Sequence, residues 1–160
     1  MYSYIIQLSK SPLKEDEYIV EADYHEGWFG REIADFITNT DREKAISELK
    51  YLERKGIKIG KDDNGDYLYV IDKEKYFECV YEEFKDVLLD LSSSYSFKQF
   101  ISDDDGELNY SLWRLREAYE HKYDLYIDMR WGDPMPLDAF VRRAAEGAKV
   151  YIGNILAYHS

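Results

Sequence analysis

The sequence predicts a single α+β domain over residues 1–160, with a small antiparallel or mixed sheet that unites N- and C-terminal strands with a central hairpin, covered by about five helices. Three observations predict it: strand-like alternation at both ends of the chain, a hairpin signature in the middle, and segments whose apolar residues recur at three and four. A chain of 160 residues has ordinary single-domain length and should bury roughly 70% of the surface its unfolded form exposes. Its 45% apolar and 34% charged residues give a globular balance, so it is expected to fold alone.

Tyr2, Tyr4, Ile6 and Leu8 alternate with Ser3, Ile5 and Gln7, which predicts an opening strand that ends before Pro12. A second short strand is expected within Glu17 to Asp23. His25 to Ile37 reads as a helix, with Trp28, Phe29, Ile33, Phe36 and Ile37 at helical spacing. Thr40, followed three residues later by Glu43, has the form of a capping box for a helix over Asp41 to Lys55, which Gly56 stops. Ile57 to Ile71 predicts a hairpin, with Asn64-Gly65 supplying the positive φ angles of a primed turn. Asp72 can cap a long helix over Lys73 to Leu91 whose apolar face is Phe77, Val80, Phe84, Val87, Leu88 and Leu91. SSSYS breaks it, a short helix is expected at Phe97 to Ile101 and, after the polar DDDGE loop, an amphipathic helix through Leu112, Leu115 and Tyr119 at about Leu108 to Lys122. YDLYIDMRW contains a strand, Pro134 and Pro136 open a last helix that stops near Gly147, and AKVYIGNILAY closes the chain as a strand.

The formal charge is −12, which argues against direct nucleic-acid binding, because phosphate-binding surfaces need clustered Lys and Arg. A basic protein is the partner such a surface suits. The acidity is regional: from Met129 onward four bases face three acids, so the excess of carboxylates lies in the preceding chain. No apolar run approaches the ~18 residues a membrane helix requires. The start, MYSYIIQLSK, lacks the basic and long apolar regions of a signal peptide, so a cytoplasmic protein is expected. Cys79 is the single cysteine, which excludes an internal disulfide and any cysteine-rich zinc site by count.

Over Arg31 to Asp72 the order of helix, turn, capped helix, glycine stop and hairpin, with the string AISELKYLERKGIKI, resembles the winged-helix pattern, and a winged-helix-like sub-unit could span 26–72. The resemblance implies a recognition helix over 41–55 and a wing over 57–71, with Arg42, Lys44, Lys50, Arg54, Lys55, Lys58 and Lys61 as contacts. The chain departs from a DNA reader in carrying Asp41, Glu43, Glu48 and Glu53 on that helix and Asp62, Asp63 and Asp66 at the wing tip. What it implies is therefore a winged-helix-like adaptor, or a nucleic-acid-associated regulator, that works through protein contact.

Along the long helix, acids fall at Glu74, Glu78, Glu82, Asp86 and Asp90, a spacing of four that drifts only ~40° per step and so forms a band. Like charges at that spacing cost ~0.2 to 0.5 kcal/mol per pair. Two accounts compete: a charged side turned to water, or a face kept because a cationic partner docks on it. With the wing-tip acids and Asp103, Asp104 and Asp105 of the DDDGE loop, the band forms a candidate contact surface of the kind found on nuclease inhibitors, immunity proteins and nucleic-acid mimics.

Catalytic and metal-binding signatures are not found. Setting Gly65 or Gly106 at the sixth position of a calcium loop puts Gly60 and Ile71, or Ile101 and Leu112, where carboxylates are required. His25, His121 and His159 have no metal-ligand spacing, and no cofactor or metal is expected. An enzyme remains a third alternative, with a site near His25, Glu26 and Trp28 or near Arg130, Trp131 and Asp133, where titratable groups adjoin aromatic side chains.

Overall fold

In chain order the elements are β1 (Tyr2–Ser9), α1 (Trp28–Glu32), β2 (Phe36–Asn39), α2 (Arg42–Glu48), β3 (Ile57–Asp62), β4 (Gly65–Val70), α3 (Lys73–Ser94), α4 (Phe97–Ile101), α5 (Glu107–Glu120), β5 (Tyr126–Asp128), β6 (Met135–Pro136), α6 (Leu137–Arg143) and β7 (Val150–His159), with 3-10 turns at Glu15–Glu17, Glu21–Tyr24 and Leu49–Lys55. The structure is a computed structural model that describes residues 2–102, 106–130 and 132–160. It is an α+β fold, and the chain divides into two compact units, Met1–Lys73 with Tyr123–Ser160, and Glu74–Lys122.

The first unit is built on a mixed sheet of order β3-β4-β7-β1-β5-β6, with β2 also on β7. The terminal strands share it as expected: β1 and β7 run antiparallel from Tyr2 opposite His159 to Ser9 opposite Tyr151. β5 joins the other edge of β1 in parallel. Alternation puts Ile5 and Ile6 on opposite faces, and both are fully buried, so β1 is covered on both sides. On one face Ile5, Tyr126, Leu156 and Tyr158 meet Ile19, Tyr24, Phe29 and Ile33. Phe29 lies edge-on to Tyr126 and Tyr158, with ring centroids 4.7 and 5.1 Å away, a geometry that suits the aromatic quadrupole.

A register shift between Ile6 and Leu8 opens a bulge in the β1–β7 ladder, and Gln7 fills it. Its Oε1 accepts from Ile19 N and Asn154 N, each at 3.1 Å, and its Nε2 donates to Glu17 O at 2.9 Å. A Cβ at Gly153 would collide with Gln7 Oε1 and Leu13 Cδ1, so that position must be glycine for the side chain to enter.

Several expected elements differ. Glu17 to Asp23 is not a strand but two 3-10 turns, closed when Glu17 and Asp23 carboxylates accept from Lys14 N and Val20 N. The helix expected over His25 to Ile37 survives only as α1, because the β-branched Ile37 and Thr38 pair with Tyr158 and Ala157 on a free stretch of β7. Thr40 does not cap α2; Asp41 does, accepting from Lys44 N at 3.1 Å. The expected helix then tightens to a 3-10 turn before Gly56 at φ 80. Asn64 is not at positive φ: Asp62 pairs with Gly65, the turn runs over Asp63 and Asn64, and only Gly65 takes the unusual angle, φ 124. Pro134 does not open a helix, since Met135 and Pro136 first pair with Ile127 and Tyr126, and α6 follows. The hairpin is no free wing, since Tyr67 and Leu68 of β4 pair with β7. The segment 26–72 contributes β2 and, through β4, the hairpin to the main sheet.

The second unit is helical. α3 and α5 run antiparallel, as Phe84 meets Tyr119 at 6.0 Å between centroids while Asp90 meets Arg114 at 3.3 Å. Ser96 starts α4 with a capping box to Gln99. On α3 only Tyr76 and Val80 are buried, and on α4 and α5 no residue is.

Candidate functional site

α3 forms because Phe77, Val80, Phe84 and Val87 recur on one side of a segment free of glycine and proline. The same register aligns Glu74, Glu78, Glu82, Asp86 and Asp90, and all five are exposed. Neutralisation along the band is sparse. Glu82 reaches Lys85 at 3.8 Å and Asp90 reaches Arg114 at 3.3 Å, both in exposed geometries worth little in water. Glu74, Glu78 and Asp86 make no ion pair among the described residues.

Sequence reasoning missed a set of exposed apolar side chains in the same unit. Phe97, Phe100 and Ile101 of α4 are 80%, 64% and 69% exposed, and Tyr81 and Leu89 on α3, with Tyr110 and Trp113 on α5, are at least half exposed. Tyr110 and Trp113 stack at 5.8 Å. The apolar spacing of these helices reads as inward-facing, but the second unit has too few elements to cover them. Contiguous exposed apolar patches mark interaction surfaces, whereas apolar side chains exposed singly are ordinary. The unit's 49 residues carry twelve acids and six bases, half of the chain's net charge.

The other expected acids are placed differently. Asp62 accepts from Asn64 N at 2.8 Å, pairs with Lys149 at 3.1 Å and accepts from Tyr151 at 3.3 Å; these partners, the Asn64 amide first, hold its carboxyl below the usual range. Asp66 pairs with Arg42 at 2.7 Å. Of these three acids only Asp63 is exposed, so the hairpin end presents one open carboxylate in place of three. Asp103, Asp104 and Asp105 lie outside the described residues.

The residues of the alternative site are partly united. A shallow cleft of about 220 Å³ is lined by Asp23, Tyr24, Gly27, Asp128, Arg130 and Asp133, among others. Arg130 pairs with Asp23 at 3.2 Å, and its backbone, at φ 59, donates to Asp128 Oδ1 at 2.6 Å. Asp128 is buried and accepts from the Tyr24 hydroxyl through its other oxygen; burial and then that carboxylate push the Tyr24 phenol far above its ordinary value. Both carboxylate oxygens are thus engaged by the protein. His25, Glu26 and Trp28 are exposed and do not line the cleft, and Trp131 lies outside the described residues. Among the described residues no group of three or more His, Cys, Asp or Glu could hold a metal ion, and no helix is long and apolar enough to cross a membrane.

Comparison of the chain with protein-family models, with curated proteins and with solved structures returns no match.

Proposed function

We propose that this chain is an acidic protein-binding module whose helical unit, Glu74–Lys122, engages a basic protein partner, in the manner of a nuclease inhibitor, an immunity protein or a nucleic-acid mimic. The observation that carries the reading is the pairing, within one unit, of a continuous exposed carboxylate band with exposed aromatic and aliphatic side chains. Each half has a distinct physical role. Carboxylates ~6 Å apart along the helix axis present Lys and Arg side chains with a repeating target, which steers association and fixes register. Trp113, Tyr110 and Phe100 supply the rigid apolar anchors that bring most of the affinity in protein interfaces.

The band also has a folding cost that a purely solvated face has no reason to keep. Its four successive like-charge pairs destabilise the helix by about 1 to 2 kcal/mol in total. Affinity capture from the source cell tests the reading, using the intact protein beside a Glu74→Gln, Glu78→Gln, Glu82→Gln, Asp86→Asn variant and a Phe97→Ser, Phe100→Ser variant. A basic protein retained by the wild type and lost from both variants supports it. Identical captured sets from all three overturn it.

A further inference from the structure

One cavity lies in the sheet unit, away from the carboxylate band in sequence, and its character is the reverse. It measures about 530 Å³ and has an apolar floor that includes Val70, Phe140 and Val150, with Met129 and Met135 beside them. Lys10, Arg143 and Lys149 also line it, and no carboxylate does. Three elements converge to make this: β1 delivers Lys10 just past its end, α6 delivers Arg143 in its last residue, and Lys149 immediately precedes β7. The one acid in the loop between them, Glu146, accepts from Lys73 N at 3.0 Å. In a chain of net charge −12, a cavity with three cations and no acid in its lining departs sharply from the rest of the molecule.

We infer that this cavity binds a small amphipathic anion, an acyl or aryl carboxylate whose apolar body lies on Phe140, Val150 and the two methionines. The volume falls in the ~300 to 1,000 Å³ range of small-molecule sites, which pair an apolar lining with a few polar groups that fix orientation. Lys149 is already held by Asp62 at 3.1 Å and by the Tyr67 ring, 4.2 Å from its centroid, so it contributes field at the rim. Lys10 and Arg143 are exposed and make no ion pair among the described residues, which leaves both to receive the carboxylate. The Arg143 guanidinium matches its two oxygens as a fork.

Sodium decanoate, kept below its micelle-forming concentration, is the probe, with 1-decanol as its neutral counterpart. Both are titrated into the full chain and followed by amide chemical shifts. Saturable shifts at Phe140, Ala144, Ala148 and Val150 with decanoate, at least about tenfold weaker binding of decanol, and a similar loss in Arg143→Gln and Lys10→Gln are expected. Shifts centred instead on 97–101, no saturable binding, or equal binding of acid and alcohol that ignores both substitutions would overturn the assignment. Both substituted residues are exposed, so the variants are expected to fold, and an unchanged amide spectrum before titration verifies it.

Discussion

Gln7 shows how one residue can organise three segments. It is fully buried, and its amide serves Ile19 N, Asn154 N and Glu17 O, joining the first turn and the bulge of β7 to β1. Gln7→Leu keeps the approximate volume but strands two backbone donors, so a loss of about 2 to 4 kcal/mol in stability is expected by urea unfolding. Nothing local in the sequence marks Gln7, because alternation in the opening strand treats it as a water-facing polar residue; its partners lie 10, 12 and 147 positions away. The tyrosines carry a second residue-scale prediction. The hydrogen bond to Glu48 pushes Tyr4 up to about 12, burial pushes Tyr51 up to about 12, and burial raises Tyr24 and Tyr158 further. The unfolded chain therefore releases these protons first, near the ordinary value of 10.0. The stability these tyrosines contribute is then fully present below about pH 10 and is lost as pH rises from about 10 through 12. Urea midpoints at about pH 8 and about pH 11 check this, and the tyrosinate absorbance of the folded protein should account for fewer than its 16 tyrosines until unfolding.

At the scale of elements, the decisive strand is β7. One edge pairs with β1 throughout, while the other takes β4 at Val150 and Tyr151 and β2 from Leu156 to His159. Between those two partners Arg42 donates to Ile152 O at 2.8 Å and to Gly153 O at 2.7 Å, and pairs with Asp66 at 2.7 Å. The guanidinium completes a strand edge that would otherwise expose its carbonyls. Arg42→Met is expected to cost about 2 to 4 kcal/mol, and hydrogen exchange at β2 and β4 should quicken more than at β1. The hairpin, α3 and α4 were legible because their signals are local: apolar spacing, a polar break at SSSYS, a glycine at a tight turn. The first helix and the last were overread because Ile37 and Met135 are recruited by strands far away in sequence, a choice that helical spacing cannot register. The same recruitment placed Arg42, expected on an open recognition helix, against the sheet.

Across the whole molecule, burial and charge are divided unequally. The aromatic core and the sheet belong to the first unit, whereas the second has only Tyr76 and Val80 buried on its long helix and half the net charge in 49 residues. Amides of α4 and α5 should therefore exchange with solvent well before those of β1 and β7, read by hydrogen exchange in the free protein. The acid band of α3 was legible in sequence because a four-residue repeat is a local pattern. The exposure of Phe97, Phe100 and Trp113 was not, since it depends on what fails to cover them. The sharpest test of the proposed function is calorimetric titration of the captured basic partner into wild type and the fourfold neutral variant, from about 50 to 300 mM salt. Wild-type affinity is expected to weaken steeply with salt, and the variant to bind at least tenfold more weakly yet to be as stable as wild type or more so. Equal affinities with no salt dependence would contradict it.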